Sequence, residues 1–376
     1  MIGAAVARAT ATRRPRADGR LDAIMVAGCV WLSVGMAVDA WAHKYVPALE
    51  TFFTPWHAVF YSGFAVVATV VGGATWRNAR RGLPWRLAAP EGYAEALIGL
   101  VVFVAGALGD AVWHELFGVE KDLAALVSPT HLLLFAGITL FVTSPLRAAW
   151  RRADLPGPGA AARPSLGELM PAVLSVGLVV TMYSFVTQAA SPLVEPFAAR
   201  AGAATVSADP RAVFLGQGLG MAGFLVQTTL LVGGLLLLLR RWWLPFGAVT
   251  VLVTLNAVIQ ATLSELYALV SVALAAGLAT DGAIGRLLCP DGPRWGLAAV
   301  AALLPTTLWG GYMLALALGV GGGLAWEIEL VGGAVAVSAA TGLLLSLLVT
   351  RVSACQDAVE RPEPDGRNRT RSVSGA

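Results

Sequence analysis

The sequence predicts an all-α, polytopic integral membrane protein with about ten transmembrane helices. The first observation is composition: 57% of the 376 residues are hydrophobic, only 13% are charged, and the mean hydropathy is +0.72. These values lie far from those of a soluble domain. The second observation is that apolar runs of about twenty residues, enough to cross a bilayer, recur along the chain. The third is that arginines cluster in every second loop between those runs.

Each predicted span is one of these apolar runs. The ten spans are 21–40, 55–75, 93–113, 129–146, 169–188, 211–239, 244–264, 266–283, 295–320 and 328–350. The division between the seventh and eighth spans requires a tight turn after Ser264, and the sixth run is unusually long.

Basic residues predict how these spans are oriented. One set of loops carries Arg77, Arg80, Arg81, Arg86, Arg147, Arg151, Arg152, Arg163, Arg240, Arg241, Arg286, Arg294 and Arg351. The opposite loops carry only Lys44, Lys121, Arg200 and Arg211. By the positive-inside rule, both termini are cytoplasmic and the protein lies in the cell (plasma) membrane. This topology accounts for the net charge of +3, and the sequence contains no nucleic-acid-binding motif.

Five segments are predicted along the chain. Residues 1–20 are expected to be a disordered cytoplasmic N-terminus, and residues 351–376 a disordered, polar cytoplasmic tail. Residues 21–150 hold the first four spans, and residues 168–350 hold a six-helix module of unknown role. The intervening residues 151–167 are rich in proline and glycine, which is typical of a linker.

One motif occurs twice within the first four spans. Each copy reads Asp-Ala-x-x-His, a loop, and then Ser/Thr-Pro-x-His-x-x-x-aromatic-x-Gly. The first copy runs from Asp39 to Gly63 and the second from Asp110 to Gly137. The two copies contain all four histidines of the protein. We therefore expect two parallel hairpin repeats, with each final glycine permitting either close helix packing or a turn.

Helix geometry brings three side chains of each copy together. Residues four apart share a helix face, so Asp39 and His43 point to a common place, as do Asp110 and His114. In the next helix of each copy, Thr54 and Ser128 are predicted N-caps, each followed by proline at the first helical position. The remaining histidines, His57 and His131, then fall in the first turn. The predicted metal ligands are Asp39, His43, His57, Asp110, His114 and His131.

Two imidazoles and one carboxylate suit copper, iron or zinc and leave coordination positions open. Three other interpretations remain. The Asp–His pairs could be caps or internal hydrogen bonds. The repeat could record duplication of a structural hairpin. The histidines could be axial haem ligands, although haem ligation gives the aspartates no role.

The first copy, with Phe53-Thr54-Pro55-Trp56-His57 after Asp39-x-x-x-His43, resembles the copper-ligand segment of the C subunit of particulate methane and ammonia monooxygenases. The second copy is similar to that subunit's second ligand set, which often begins with Asn where this chain has Asp110. The resemblance covers residues 1 to about 150, and fold likeness alone does not fix function. It implies copper at both trios and possession of partner subunits in the membrane.

Two classes of function follow. The first is a copper-dependent monooxygenase, or a subunit of one, that oxidises a small apolar substrate with O2. The second is a membrane protein that binds, delivers or transports copper or another divalent metal. A third hypothesis is that the protein has a purely structural role in the membrane. The predicted partners are membrane lipid and other membrane subunits, and the metal sites are expected near the extracytoplasmic side.

Overall fold

The computed structural model describes residues 13–46, 54–118, 123–157, 162–200, 209–289 and 292–349. The predicted tail (351–376), the first twelve residues of the predicted N-terminal segment and residues 158–161 of the linker lie outside this part of the chain. Of the N-terminal segment, Pro15 accepts a hydrogen bond from the backbone of Glu91 (2.8 Å), and Asp18 caps the first helix through Leu21 N (2.6 Å).

Thirteen α-helices form the described structure. They are α1 (Gly19–Tyr45), α2 (Pro55–Arg80), α3 (Trp85–Ala88), α4 (Ala94–Phe117), α5 (Ala124–Val127), α6 (Pro129–Val142), α7 (Ser144–Arg151), α8 (Leu166–Val186), α9 (Pro210–Arg241), α10 (Ala248–Ser264), α11 (Ala268–Leu287), α12 (Gly296–Ala317) and α13 (Ile328–Leu347). Short 3-10 turns occur at Gln188–Ala190 and Val320–Gly322.

The prediction of an all-α, multi-pass membrane protein is confirmed. Within the described residues, nine helices are long and apolar enough to cross a membrane, with α6 and α7 forming one span. A tenth apolar helix, α10, has 17 residues. The tight turn after Ser264 is present: Glu265 has φ 59° and α11 begins three residues later. The long sixth run is a single helix of 32 residues.

Large apolar side chains cover the outer faces of these helices. On α4, for example, Val101 and Leu108 are 70% and 67% exposed. Exposing so many apolar faces to water would be unfavourable for a soluble protein, whereas lipid chains would solvate them. Contact with membrane lipid is therefore expected over this surface.

The two hairpins of the repeat pack closely at their final glycines. A Cβ atom at Gly63 of α2 would lie 2.6 Å from the Leu32 backbone of α1. A Cβ atom at Gly137 of α6 would lie 2.8 Å from the Gly99 carbonyl oxygen of α4. Each glycine thus lets its two helices approach closely, as the sequence predicted, and this spacing sets how near the two histidines of each copy can come.

An aromatic cluster fills the seam between the two hairpins. Phe103 of α4 stacks on Phe64 of α2, with ring centroids 4.2 Å apart, and also contacts Phe60 of α2 and Phe141 of α6. The first four spans therefore share one apolar core, which the inner face of α8 extends through Leu178, Met182 and Phe185.

The six-helix module contacts the C-terminal end of α1. Trp41 Nε1 donates to Glu265 Oε1 (3.1 Å), Lys44 Nζ pairs with Glu195 Oε1 (3.2 Å), and Tyr45 Oη donates to the Leu263 carbonyl (3.2 Å). A buried carboxylate, Asp281 of α11, accepts from Val249 N and Thr250 N and so caps α10 from a neighbouring helix. The contacts of Trp41, Lys44 and Tyr45 hold the end of α1 on which the first copy of the motif begins.

Candidate metal centre

The first trio is Asp39, His43 and His57, at the end of the α1–α2 hairpin. Asp39 and His43 lie one turn apart in the last turns of α1, and His57 lies in the first turn of α2. Asp39 Oδ2 is 3.9 Å from His43 Nε2 and 3.5 Å from His57 Nε2. The sequence prediction that these three side chains meet is confirmed, because one ligand atom from each lies within 4.8 Å of the others.

The second trio is Asp110, His114 and His131, at the same end of the α4–α6 hairpin. Asp110 Oδ2 is 3.3 Å from His114 Nε2, and its other oxygen, Oδ1, is 3.6 Å from His131 Nε2. Their ligand atoms also lie within 4.8 Å of one another. Each trio therefore draws two ligands from one helix and the third from the next.

The N-cap residues act on the histidines as well as on the helices. Thr54 Oγ1 accepts from the backbone N–H of His57 (3.1 Å) and lies 3.1 Å from His57 Nδ1. In the second copy, Ser128 Oγ lies 3.4 Å from His131 N and 2.7 Å from His131 Nδ1. In both copies the hydroxyl holds the Nδ1 side of the ring, so that Nε2 faces the carboxylate.

A backbone carbonyl holds the His114 ring in the same orientation, with Nε2 towards the carboxylate. Its Nδ1 lies 3.3 Å from the carbonyl oxygen of Gly118, just after α4 ends. A carbonyl oxygen only accepts, so Nδ1 carries the proton at this contact, and Nε2 turns towards Asp110. A metal-binding histidine commonly donates its other ring N–H in this way.

Thr130 belongs to the second trio, although the sequence analysis did not single it out. Its hydroxyl donates to Asp110 Oδ1 (2.8 Å) and lies 3.2 Å from Ser128 Oγ. The only sequence signal for this role is that position x of the Ser/Thr-Pro-x-His motif is a threonine in the second copy, whereas it is Trp56 in the first. Without coordinates, that position gives no direction for the hydroxyl.

The two trios differ in how their carboxylates are satisfied. Asp39 Oδ1 is buried and has no hydrogen-bond partner among the residues that the structure describes, whereas Asp110 Oδ1 accepts from Thr130. Exposure differs too: the side chains of Asp39 and His43 are 16% and 37% exposed, and those of Asp110 and His114 are 3% and 11% exposed. For the third ligand the order is reversed, with His57 13% and His131 25% exposed. The first trio is thus the more open one and contains the unsatisfied oxygen.

The charges of the two trios influence one another. Asp110 interacts electrostatically with Asp39, His43 and His57 of the other hairpin. Tyr61 stacks on His57, with centroids 6.1 Å apart, and interacts with both aspartates. The trios therefore lie side by side at one end of the bundle, above the Phe103 cluster.

The donor set fits a transition metal. An ion about 2.0–2.2 Å from each nitrogen or oxygen ligand needs ligand atoms about 3–4 Å apart, so the observed spacing requires shifts of less than about 1 Å. Two imidazoles exclude the all-oxygen sites of calcium and magnesium. The orphaned Asp39 Oδ1 is a polar atom that a bound cation would satisfy. Among the described residues, these two trios are the groups of three or more His, Cys, Asp or Glu side chains that could hold a metal ion.

Comparison of the chain with protein-family models, curated proteins and solved structures finds no match.

Proposed function

We propose that this protein is a copper-binding integral membrane protein, similar in its first four spans to the C subunit of copper membrane monooxygenases, and that it oxidises a small apolar substrate with O2. The observation that carries this proposal is the convergence of all four histidines and two aspartates into two matching trios. Capping pairs or a duplicated structural hairpin would not require both imidazoles of each copy to face one carboxylate.

Copper is the preferred metal for two reasons. It stands at the top of the affinity order for nitrogen-rich sites, and the motif resembles a copper-ligand segment. Iron or zinc would also fit two imidazoles and one carboxylate. Asp39, His43 and His57 would hold one ion, and Asp110, His114 and His131 the other.

The residues around the trios suit an apolar substrate. Phe60, Phe64 and Phe103 pack beneath them and exclude water from the seam between the hairpins. Copper would supply the one-electron redox chemistry that activation of O2 requires, while the protein's side chains hold and orient the ligands.

The proposed position of the trios is extracytoplasmic. The arginine-rich ends of α2 and α7 lie at the opposite end of these hairpins from the histidines. By the positive-inside rule, those ends face the cytoplasm in the cell membrane. Metal would then arrive without crossing the bilayer. Partner membrane subunits, which the resemblance implies, are part of the proposal.

An activity assay tests the oxygenase function. Copper-loaded protein in lipid nanodiscs is given a quinol as reductant, propene as a small apolar substrate and ¹⁸O2, and the product is analysed by mass spectrometry. The expected result is a product carrying one labelled oxygen atom, which the His57→Ala/His131→Ala double variant fails to form. If the copper-loaded wild type forms none, the oxygenase proposal for the isolated chain is wrong.

Capture and delivery of metal is the second candidate, favoured by the 37% exposure of the His43 side chain. An exposed ligand offers a route for metal exchange with water or with a carrier. In the same preparation, this function predicts transfer of bound copper to a chelator within minutes, with no labelled product. Slow release combined with product formation would favour the oxygenase.

A further inference from the structure

The second trio contains a chain of hydrogen bonds that determines where the proton of His131 sits. It runs from Asp110 through Thr130 and Ser128 to His131, over 2.8, 3.2 and 2.7 Å. Each hydroxyl has one proton to donate, whereas a carboxylate oxygen only accepts. These two facts fix the direction of every bond in the chain.

The direction follows link by link. Thr130 donates its only proton to Asp110 Oδ1, so its oxygen can only accept from Ser128. Ser128 therefore donates its own proton to Thr130. Towards His131, Ser128 Oγ can then only accept, which places a proton on Nδ1. In the neutral imidazole Nε2 is then the unprotonated nitrogen.

The opposite arrangement has less support from the geometry. A proton on Nε2 of His131 would have to point to Asp110 Oδ1, which is 3.6 Å away and beyond hydrogen-bond reach. It would also leave Thr130 Oγ1 and His131 Nδ1 as two acceptors for the single Ser128 proton. In His114 the Gly118 carbonyl independently holds the proton on Nδ1. In both imidazoles of the second trio the Nδ1 proton then lies on the side of the ring away from Asp110.

We propose that Thr130 is a positioning residue, which acts through Ser128 to keep His131 in the Nδ1–H tautomer and so leaves Nε2 free to bind metal. The role is specific to the second trio, because the first copy has Trp56 at the matching position and no hydroxyl there. The consequence for metal affinity rests on the proposed metal-binding function, whereas the tautomer itself is a property of the metal-free protein.

Nuclear magnetic resonance of ¹⁵N-histidine-labelled protein tests the tautomer directly. With four histidines in the chain, the spectrum holds four imidazoles, each assigned by its His→Gln variant. Metal-free protein is measured in lipid at about pH 8, where an unperturbed imidazole is neutral. We expect His131 to carry its proton on Nδ1. Thr130→Val should shift His131 towards the Nε2–H form, and Thr130→Ser should restore the wild-type signal.

Two controls separate positioning from loss of structure. Ser165→Ala removes an N-cap of the same type from α8, far from the trios, and should leave all four imidazoles unchanged. In Thr130→Val, unchanged signals from His43 and His57 report an intact first hairpin. The wild-type spectrum alone overturns the proposal if His131 is found in the Nε2–H form or doubly protonated, even if Thr130→Val does not fold.

Zinc binding gives the second readout. Zinc is diamagnetic, so the same spectra show which ring nitrogen binds the ion. We expect Nε2 of His131, with an affinity about 10-fold to 100-fold lower in Thr130→Val and restored in Thr130→Ser. If wild-type His131 is the Nδ1–H tautomer but the protein binds neither zinc nor copper, the tautomer assignment stands and the proposed metal-binding function is wrong. If Thr130→Val changes neither the zinc affinity nor the tautomer of His131, the proposed role of Thr130 is wrong.

Discussion

The two trios have the same ligands in the same order, but their surroundings differ. In the first, Asp39 Oδ1 is buried with no hydrogen-bond partner in the described part of the chain, and His43 is exposed. In the second, Asp110 is enclosed, and both of its oxygens face partners, including the Thr130 hydroxyl. The motif alone therefore does not determine a site, since residues between and beside the ligands decide how far each site is organised before metal binds.

This comparison suggests a division between the two sites. The first trio is open and holds an unsatisfied carboxylate oxygen, as expected for a site completed by an incoming cation. The second trio has a more enclosed carboxylate and is organised by hydrogen bonds without a metal. The pair would behave as two inequivalent sites whose charges interact, rather than as two copies of one site.

The largest expected effect comes from the glycines that set the spacing of each hairpin. Gly63→Ala should force α1 and α2 apart and weaken metal binding at the first trio by about tenfold or more, leaving the second trio unchanged. Gly137→Ala should weaken metal binding at the second trio and leave the first unchanged. Equilibrium metal titration of each variant measures both effects.

Gly72→Ala is the matched control for this pair. It lies on α2, like Gly63, but a Cβ atom there would meet nothing within 4 Å. Helix propensity predicts a gain in stability of about 0.5–1 kcal/mol and no change at either site. Equal loss of metal from both trios in Gly63→Ala would show that the hairpins do not position their ligands separately.

A smaller effect should distinguish the two carboxylates in metal-free protein. Asp110→Asn weakens the charge-assisted bond from Thr130 and should lower stability by about 1 kcal/mol. Asp39→Asn neutralises an oxygen without a partner and should leave stability within about 0.5 kcal/mol of wild type, or raise it. Thermal unfolding in detergent, followed by circular dichroism, compares the two.

Asp22→Asn provides a reference for the same substitution away from the trios. Asp22 is buried on α1 and accepts a hydrogen bond from the Tyr93 hydroxyl at 2.6 Å, so it resembles Asp110 rather than Asp39. It should lose stability as Asp110→Asn does, without any effect on metal binding. Equal losses from Asp39→Asn and Asp110→Asn would remove the proposed difference between the trios.

Most of the fold could be predicted from the sequence because each relevant signal is local. Runs of apolar residues gave the spans, and the Thr54-Pro55 and Ser128-Pro129 pairs located the starts of α2 and α6. The ligand trios were predictable because i, i+4 spacing and a short connection leave few places for the third ligand.

The features that distinguish the two trios could not be predicted because they depend on side-chain direction and contacts between distant helices. Nothing in the sequence distinguishes Thr130 from other threonines, and only the structure places its hydroxyl 2.8 Å from Asp110. Likewise, Glu265 is one acidic residue in a turn until it accepts from Trp41, 224 positions away. Sequence spacing within one helix contains no information on either contact.

The central claim is that each trio binds its own metal ion, and metal content tests it most directly. Purified protein is repleted with copper, washed and analysed by elemental analysis as wild type, His57→Ala, His131→Ala and the double variant. The account predicts two copper ions per wild-type chain, one in each single variant and none in the double variant. Wild-type protein that retains no copper, iron or zinc after repletion would contradict the account and leave the repeat as a duplicated structural hairpin.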